Sequence, residues 1–225
     1  MDKKKLAEFI GIMLGDGNLY SKDGTHRFVI TGHSEEDYDY LTNYVKPLIK
    51  TLFNKEASLW KHKNKNAIAL SVCSKDIIEK LISLGLVSGP KTMEIPNFAK
   101  KNKKLIANFI RGVADTDFSM TFKKKNHSYP LITGGFSNEN FTKQLKNLLE
   151  LFNIKANIYT KLTTLGNKTF IQYQIDIYGR HNLKKWMKFI GFSNPKHLTK
   201  IAIWNKLGYY TPHTPYLERV KLLKQ

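Results

Sequence analysis

The chain has 225 residues, 41% of them hydrophobic, which is enough to bury a sizeable core and excludes a disordered protein. Lysine and arginine number 37 against 18 aspartate and glutamate, and the net charge of +19 favours a polyanionic partner such as nucleic acid. A single cysteine, Cys73, excludes an internal disulfide and a cysteine-based zinc site.

The N-terminal segment MDKKKLAEF lacks the apolar stretch of a signal peptide, and no later apolar run is long enough to cross a bilayer. Basic residues are dispersed along the chain instead of lying on one amphipathic helix, so a membrane surface is not the expected partner. We therefore expect an intracellular protein, in the cytoplasm or nucleoid, or in an organelle matrix if an organelle genome encodes it.

The first predicted element is a short apolar helix that ends in a carboxylate. In the segment FIGIMLGDGNL, Gly11 and Gly15 share one helix face, and Asp16 stands at the end. Small residues at this spacing let two helix backbones approach closely. A carboxylate at a helix C-terminus faces the negative end of the helix dipole and is locally disfavoured unless a cation is near.

Two hairpins and two helices are predicted next. Asn and Gly turn signals between alternating apolar residues indicate hairpins, and Ser followed by Glu indicates a helix start. The predicted order is a hairpin around Asp23-Gly24, a helix after Ser34 that ends at 52–54, a hairpin with its turn at 63–66, and a helix from about Lys75 that closes before Pro90-Lys91.

The whole series then returns after roughly a hundred residues, which is too long for a solenoid repeat. It restarts with FIRGVADTDFSM, where Gly112 and Thr116 share a helix face and Asp117 follows. Each half reads α-β-β-α-β-β-α, and pairing of the two motif helices would give a pseudo-symmetric monomer. That pairing would gather Asp16 and Asp117 and so predicts a metal site.

The predicted units are residues 1–99, residues 100–200 and a C-terminal appendage at 201–225. In the second unit a turn at 165–168 precedes a strand in which Ile171, Tyr173 and Ile175 alternate with polar residues. Cys73 ends a similar alternating run and is expected to be buried or half-buried. The core is expected to hold Trp60, Trp186 and Trp204, because each has apolar neighbours.

The paired segments FIGIMLGDG and FIRGVADTD resemble the motif of the LAGLIDADG homing endonucleases, in the single-chain form that carries two copies, over residues 6 to 200. The resemblance implies an α+β fold in which two halves pack through their motif helices. Their antiparallel sheets would form a saddle over the major groove of double-stranded DNA with a long specific target site. Such enzymes cut both strands across the minor groove and leave short 3′ overhangs.

The resemblance also implies the metal ligands and their ion. Asp16 and Asp117 would bind Mg²⁺, with help from the backbone carbonyls of Gly15 and Thr116. Mn²⁺ would substitute for Mg²⁺, and Ca²⁺ would support binding without cleavage. Oxygen ligands and few protein groups suit a hard cation that keeps several waters.

The sequence departs from the family pattern at two positions. Leu14 replaces the earlier acidic residue of the motif, which the second copy keeps as Asp115. Phe118 stands where a final glycine is usual, and where the first copy has Gly17. Either the Phe118 ring packs beneath the sheet along a different local path, or the second metal position is distorted.

Two lysines are predicted to be catalytic, although most lysines in proteins are simply solvated. Lys91 and Lys196 each follow a proline at equivalent places in the repeat, where the resemblance implies a lysine near the active-site water. Another family position, usually polar, falls at Gly32 and Gly135. The neighbouring His33 could substitute on one side, whereas Phe136 could not on the other.

Outward strand and turn residues are expected to contact DNA, because a two-stranded ribbon fits the major groove. Glutamine and arginine would read base edges, and lysines near turns would contact phosphates. The predicted contacts are Lys22, Arg27, His33, Lys61, Lys63, Lys65, Lys123, Lys124, Lys161, Lys168, Gln172 and Gln174.

The leading hypothesis is a monomeric, Mg²⁺-dependent, site-specific DNA endonuclease encoded by a mobile intron. An intein is not expected, because no splicing segments with a nucleophilic Cys or Ser and a terminal His-Asn flank the unit. The alternatives are an RNA-binding intron maturase, whose partner would be intron RNA, and a catalytically inactive DNA-binding regulator. Retention of Asp16 and Asp117 argues against the regulator, and Phe118 argues for it.

Overall fold

A computed structural model of the chain describes residues 2–63, 65–166 and 168–225. Over these residues the fold is α+β, with two units that each contain a four-stranded antiparallel sheet. None of the helices in the described ranges has the length and apolar character needed to span a membrane. Asn64 and Asn167, which belong to two of the predicted turns, lie outside the described residues.

The first unit follows the predicted order of elements. Asp2 caps its first helix by accepting hydrogen bonds from the N–H groups of Lys4 and Lys5. A π-helical turn at Leu41–Val45 makes the second helical region continuous. The elements are α1 (Lys3–Gly15), β1 (Gly17–Lys22), β2 (Thr25–His33), α2 (Tyr38–Tyr40), α3 (Lys46–Phe53), β3 (Ser58–Lys61), β4 (Ala67–Cys73) and α4 (Lys75–Ser83).

The second unit repeats this order after a short 3-10 turn at Asn97–Lys100. Asn102 caps the next helix by accepting a hydrogen bond from the N–H of Leu105. The elements are α5 (Lys103–Asp117), β5 (Phe118–Lys123), β6 (Tyr129–Phe136), α6 (Glu139–Glu150), β7 (Asn157–Leu165), β8 (Lys168–Tyr178), α7 (Gly179–Phe189), α8 (Pro195–Leu207) and α9 (Tyr216–Lys224).

The two sheets have the same topology, with strand orders β1-β2-β4-β3 and β5-β6-β8-β7. The predicted α-β-β-α-β-β-α pattern is therefore confirmed in both halves. Residue 200, the predicted end of the second unit, lies within α8, so the appendage continues a helix that begins at Pro195.

Each unit has an Ile-Thr-Gly triplet in the second strand of its first hairpin, at residues 30–32 and 132–134. The first strand of the hairpin pairs with this triplet in a register that differs by two residues between the units. Gly17 faces Ile30 in the first unit, whereas Phe118 faces Gly134 in the second. A Cβ added to Gly134 would lie 3.0 Å from the Phe118 ring, which is buried and packs against Phe136 and Trp186. Phe118 has ordinary extended backbone, with φ −97° and ψ 160°. Of the two predicted outcomes, the ring thus packs beneath the sheet.

Helices α1 and α5 cross at Gly11 and Gly112 with their backbones in contact. A Cβ added to Gly11 would lie 2.2 Å from the carbonyl oxygen of Phe109, and one added to Gly112 would lie 2.1 Å from that of Glu8. No side chain fits in such a space, so glycine is required at both positions. The predicted close pairing of the motif helices is what the structure shows.

A buried ion pair lies beside this crossing and links the two units. Glu8, whose side chain is 1% exposed, accepts hydrogen bonds from the Nε and Nη2 of Arg111 on the opposite helix. The hydroxyls of Tyr44 and Ser193 donate to the same carboxylate at 2.7 and 2.9 Å. Because its hydrogen bonds are satisfied from both units, the pair favours one relative arrangement of the two halves.

The C-terminal appendage crosses back and binds the first unit. Arg219 in α9 is 2% exposed and forms an ion pair with Glu36. Tyr216 donates its N–H to Glu36 at 3.0 Å and its hydroxyl to Asp39 at 2.6 Å. Residues 34–40 of the first unit, the segment between β2 and the end of α2, are therefore held by the end of the chain.

Two expectations about burial are wrong. Trp186 is fully buried as predicted and Trp204 is half-buried, but Trp60 is 41% exposed. Trp60 pairs with Ala69 on the sheet face that points away from the helices. Cys73 is exposed for the same reason: it pairs with Arg27 on that face, and the sequence alternation does not reveal which face is covered.

We expect Gly112→Ala to destabilise the protein by about 3 kcal/mol, because the added methyl overlaps a backbone carbonyl that cannot move aside. Gly208→Ala is the control: it has a left-handed backbone but open space around it, and it should cost about 1 kcal/mol. Urea unfolding measures both. Equal losses for the two variants would contradict the close helix crossing.

Candidate active site at the helix seam

We call the line of contact between the motif helices α1 and α5 the seam. The crossing of these helices brings Asp16 and Asp117 to the same end of the seam. Asp16 caps α1, and Asp117 is the last residue of α5. A Cβ added to Gly15 would lie 2.6 Å from Oδ2 of Asp117 and 1.9 Å from Oγ1 of Thr116. The absence of a side chain at Gly15 therefore lets the Asp117 carboxylate reach across the end of α1. The structure brings together the two predicted metal ligands.

Both carboxylates are only partly exposed, and their pKa values are raised. Burial raises the pKa of Asp16 to about 6, an effect that Lys196 partly opposes and Asp37 reinforces. Burial, followed by the negative charge of Asp16, raises the pKa of Asp117 to about 7. Two half-buried carboxylates, of which one disfavours the ionisation of the other, form a site that a cation would stabilise.

Lys91, one of the two lysines predicted to be catalytic, lies in this site. Its ammonium group donates a hydrogen bond to the backbone carbonyl of Gly15. Burial lowers the pKa of Lys91, while the charges of Asp117 and Asp16 act in the opposite direction. Lys91 thus lies near the carboxylates of Asp16 and Asp117 and is hydrogen-bonded to the Gly15 carbonyl, which was predicted to help bind the metal.

Lys196, the second lysine predicted to be catalytic, also lies near the two carboxylates. Its Nζ lies 2.8 Å from Oδ1 of Asp37, in a pair whose side chains are 17% and 9% exposed. Burial alone would raise the pKa of Asp37, but the charge of Lys196 and the hydrogen bonds from Lys196, Asn194 and His33 hold it below its usual value. Lys196 also lowers the pKa of Asp16. Asp37 therefore holds Lys196 next to the carboxylate pair.

Asp37 lies in this site and was not predicted from the sequence. The signal in the sequence was Gly32, a glycine at a position that is usually polar. In the structure a Cβ on Gly32 would lie 2.8 Å from the Cβ of Asp37, so the glycine leaves space for the Asp37 side chain. On the other side, a Cβ on Gly135 would lie 2.5 Å from Nε2 of Gln172. The two glycines thus leave space for polar groups supplied from elsewhere in the chain.

Asp115, the earlier acidic residue of the second motif, has a structural role, because its carboxylate holds a loop by hydrogen bonds. It is fully buried and accepts hydrogen bonds from the N–H groups of Ser193 and Asn194 at 3.0 Å. Burial raises its pKa to about 8, and those N–H groups act against the shift. The carboxyl fixes the loop that leads to Lys196. Its counterpart Leu14 packs in the core.

The protein groups at the seam fit a hard divalent cation. Asp16 and Asp117 supply oxygen ligands, as could the carbonyls of Gly15 and Thr116. Within the described segments no group of three or more His, Cys, Asp or Glu side chains is arranged to bind a metal. A site with two carboxylates leaves most coordination positions to water and substrate oxygens, which is the preference of Mg²⁺.

In the first sheet, most predicted DNA contacts are exposed. Arg27 lies on the face away from the helices, and His33 ends β2, where its Nδ1 is 3.3 Å from the N–H of Glu35. Lys61 differs: it pairs with buried Ile68 on the helix-covered side, and its Nζ lies 5.9 Å from the centre of the Tyr38 ring. The other exposed predicted contacts of this unit, at a strand end or turn, are Lys22, Lys63 and Lys65.

In the second sheet, the predicted contacts Lys161, Gln172 and Gln174 share one face. Lys161 pairs with Gln172, and Tyr159 pairs with Gln174, on the side away from the core residue Ile175. Buried Asp176 orients Gln174 by accepting a hydrogen bond from its Nε2 at 2.8 Å. The exposed predicted contacts at the end of the first hairpin are Lys123 and Lys124. Lys168 begins β8, but its side chain lies outside the described part of the structure.

Comparison with known proteins identifies the architecture. Residues 104–191 match the model of a family described as LAGLIDADG-like domain. The structure of I-DmoI in complex with DNA and Ca has a TM-score of 0.58 and 18% identity, with 99% of this chain and 98% of that one covered. The meganuclease I-SmaMI bound to uncleavable DNA has a TM-score of 0.56 and 11% identity, at the same coverage.

The chain has the LAGLIDADG homing endonuclease fold. The two full-length matches confirm the predicted single-chain form, with both motif copies in one polypeptide.

Two curated relatives come from Methanocaldococcus jannaschii. Its DNA polymerase is 25% identical over 199 residues, covering 83% of this chain and 11% of that protein. Its replication factor C small subunit is 28% identical over 200 residues, covering 88% of this chain and 10% of that protein. The chain therefore spans about a tenth of the length of these relatives.

The raised pKa values predict how the stability of this chain depends on pH. Because Asp16 and Asp117 bind protons more tightly folded than unfolded, their contribution is present below pH 3.8 and is lost as pH rises through 6 and 7. Without metal, the melting temperature should fall from about pH 5 to about pH 8, and Mg²⁺ should restore it mainly at the higher pH.

The control is the double variant Asp16→Asn, Asp117→Asn, whose melting temperature should change less over the same range and should not respond to Mg²⁺. Differential scanning calorimetry in matched ionic strength measures both proteins. An identical pH profile in wild type and double variant would contradict the raised pKa values.

A second prediction concerns Asp37 as a positioning residue. Under the duplex-cleaving function proposed below, Asp37→Asn should lower kcat about tenfold, because Lys196 loses the carboxylate that holds it, while KM for the duplex changes little. Glu35→Gln, an exposed neighbour, is the matched control and should leave both constants unchanged. Asp37→Glu should recover part of kcat. A parallel loss in kcat and in melting temperature without recovery by Glu would indicate a purely structural role.

Proposed function

We propose that the protein is a Mg²⁺-dependent, sequence-specific endonuclease that cleaves double-stranded DNA. The observation that carries this proposal is the carboxylate pair at the seam, Asp16 and Asp117, with raised pKa values and with Lys91 and Lys196 on either side. Half-buried like charges at the ends of two crossing helices are unfavourable for the fold, so a purely structural role does not explain them. Strongly perturbed titratable groups gathered in this way are typical of active sites.

The chain's own residues supply the binding and orientation that hydrolysis needs. Asp16 and Asp117 would hold divalent cations, which when bound act as Lewis acids and activate a water molecule. Lys91 and Lys196 would donate hydrogen bonds to phosphate oxygens and offset the charge that develops there. Asp37 and Asn194 keep Lys196 extended toward the seam.

The solved relatives support the choice of ion and substrate. I-DmoI has been crystallised with DNA and Mn, with DNA and Ca, and, as a variant, with its target DNA and Mg. The net charge of +19 and the exposed basic residues of both sheets suit a long duplex. Cleavage across the minor groove, with short 3′ overhangs, is the outcome that we propose for this chain.

The curated relatives support an origin in a mobile element. Two replication proteins of different name each contain a stretch similar to this chain that makes up about a tenth of their length. A unit shared by otherwise different proteins is expected of a mobile insertion. We propose such an origin here, by intron or by in-frame insertion, and the in-frame form gains support from these matches.

One observation favours a second candidate, a DNA-binding regulator without cleavage activity. The ammonium group of Lys91 is bonded to the Gly15 carbonyl, where it competes with a cation for one of the predicted ligands. If the lysine kept this position with DNA bound, the seam would be partly neutralised by Lys91 instead of by a metal.

The test uses Asp16→Asn and Asp117→Asn, with Asp23→Asn in an exposed turn as control. A target is first selected from a random duplex library by binding in Ca²⁺. In Mg²⁺ the wild type and the control should cut it to staggered ends, and each seam variant should be slower by at least about 100-fold. All four proteins should bind the target similarly in Ca²⁺.

Two outcomes would contradict the endonuclease. Normal cleavage of both strands by either seam variant would show that the carboxylates are not the metal ligands. Tight, specific binding by the wild type with no cleavage in Mg²⁺ or Mn²⁺ would establish the regulator. In that case Lys91→Met should allow the seam to bind Mn²⁺, which electron paramagnetic resonance can measure.

A further inference from the structure

A cavity of about 880 Å³ opens where three parts of the chain meet. Its walls come from the segment after β2 in the first unit, from β5 in the second, and from the region between α8 and α9. Its lining residues do not include the carboxylate pair Asp16 and Asp117 or the two lysines beside it. Such a volume is within the range of small-molecule binding sites in proteins.

One wall of the cavity is apolar and aromatic. Met120, Phe122 and Tyr210 line it, and the rings of Phe122 and Tyr210 are 5.3 Å apart. Both aromatic residues are buried in the core of the second unit and its appendage, so their positions are fixed. This wall offers a rigid apolar surface of the kind on which a base or sugar can pack.

The cavity is also lined by charged residues of both signs, and the positive charge of one of them is not paired. The lining residues of this kind are Glu35, Glu36, Lys123, Lys124, Lys200 and Arg219. Lys200 lines the cavity and is half-buried, and no carboxylate lies within 4.0 Å of its Nζ among the described residues. The nearby Glu36 is already paired with Arg219. Burial, followed by repulsion from Arg219, lowers the pKa of Lys200 to about 8. A buried positive charge without a partner is costly, and an anion would relieve that cost.

Left-handed backbone is concentrated at the same cavity. Lys124, His127 and His213 line it and have φ values of 68°, 49° and 61°. Non-glycine residues adopt this conformation at a cost, and such residues cluster at ligand sites. His127 is further fixed by its Nδ1, which lies 3.2 Å from the carbonyl oxygen of Phe122.

We propose that this cavity binds a phosphorylated ligand of about mononucleotide size, with its phosphate against Lys200 and its base or sugar on the Phe122–Tyr210 wall. The shared chemistry is a phosphate ester, whose source is either a free nucleotide or a nucleotide of a bound nucleic acid. The site is separate from the proposed nuclease centre, and binding is testable without DNA or metal.

The experiment titrates the full chain, free of DNA and metal, with AMP at constant ionic strength in a calorimeter. Adenosine and inorganic phosphate are titrated as the separate parts of the ligand. AMP should bind the wild type more tightly than either part. Lys200→Met should weaken AMP binding about tenfold or more, because one charge-assisted hydrogen bond is lost. Lys206→Met, at an exposed position on the same helix, is the matched control and should bind AMP like the wild type.

Lys200→Gln is a second variant: it keeps a polar side chain, removes the charge, and should also weaken AMP binding about tenfold. If Lys200→Met does not fold, this variant still decides the question. Unchanged AMP affinity in Lys200→Met, equal losses in Lys200→Met and Lys206→Met, or no AMP binding to the wild type would each overturn the proposal. Repeating the titration with saturating target duplex distinguishes the source: competition indicates a nucleotide of the DNA, and simultaneous binding indicates a free nucleotide.

Discussion

The contact between two helix backbones at Gly11 and Gly112 is the constraint on which the rest of the structure depends. Each glycine lies so close to a carbonyl of the opposite helix that a single added carbon would overlap it. This closeness fixes the distance between the helices and, four residues further along α1, lets Asp117 reach across Gly15. The site is thus a geometric consequence of the helix crossing, and the two cannot be varied independently.

Gathering two carboxylates at one point costs electrostatic energy, and the surrounding structure is arranged to hold them there. The Glu8–Arg111 pair links the units at the crossing, Asp115 fixes the loop before Lys196, and α9 holds the segment that carries Asp37. These contacts are buried and largely satisfied by hydrogen bonds, which favours one arrangement of the halves. Without a metal, the lysines on either side partly neutralise the carboxylates. A cation would do so more completely, because it can bind both at once.

The sequence predicted the fold because its two halves repeat the same elements, and the structure places the residues predicted for the central site at the crossing of the motif helices. The small residues and terminal acids recur in equivalent places, so one half supports the interpretation of the other. Asp37 was not predicted because its role arises from contacts with Lys196 and Asn194, far along the chain. The exposure of Trp60 and Cys73 was missed because alternation reveals two faces of a strand without telling which one the helices cover. The register shift at Phe118 was also hidden, since it depends on the pairing with Gly134.

The most direct measurement is the anomalous scattering of Mn²⁺ in crystals of the protein bound to its target duplex. The central claim is that the helix crossing brings Asp16 and Asp117 together to share divalent cations. It predicts an anomalous peak within coordination distance of both carboxylates, with Lys91 displaced from the Gly15 carbonyl. A complex that is well ordered at the seam, without such a peak or with Lys91 still on that carbonyl, would contradict the claim.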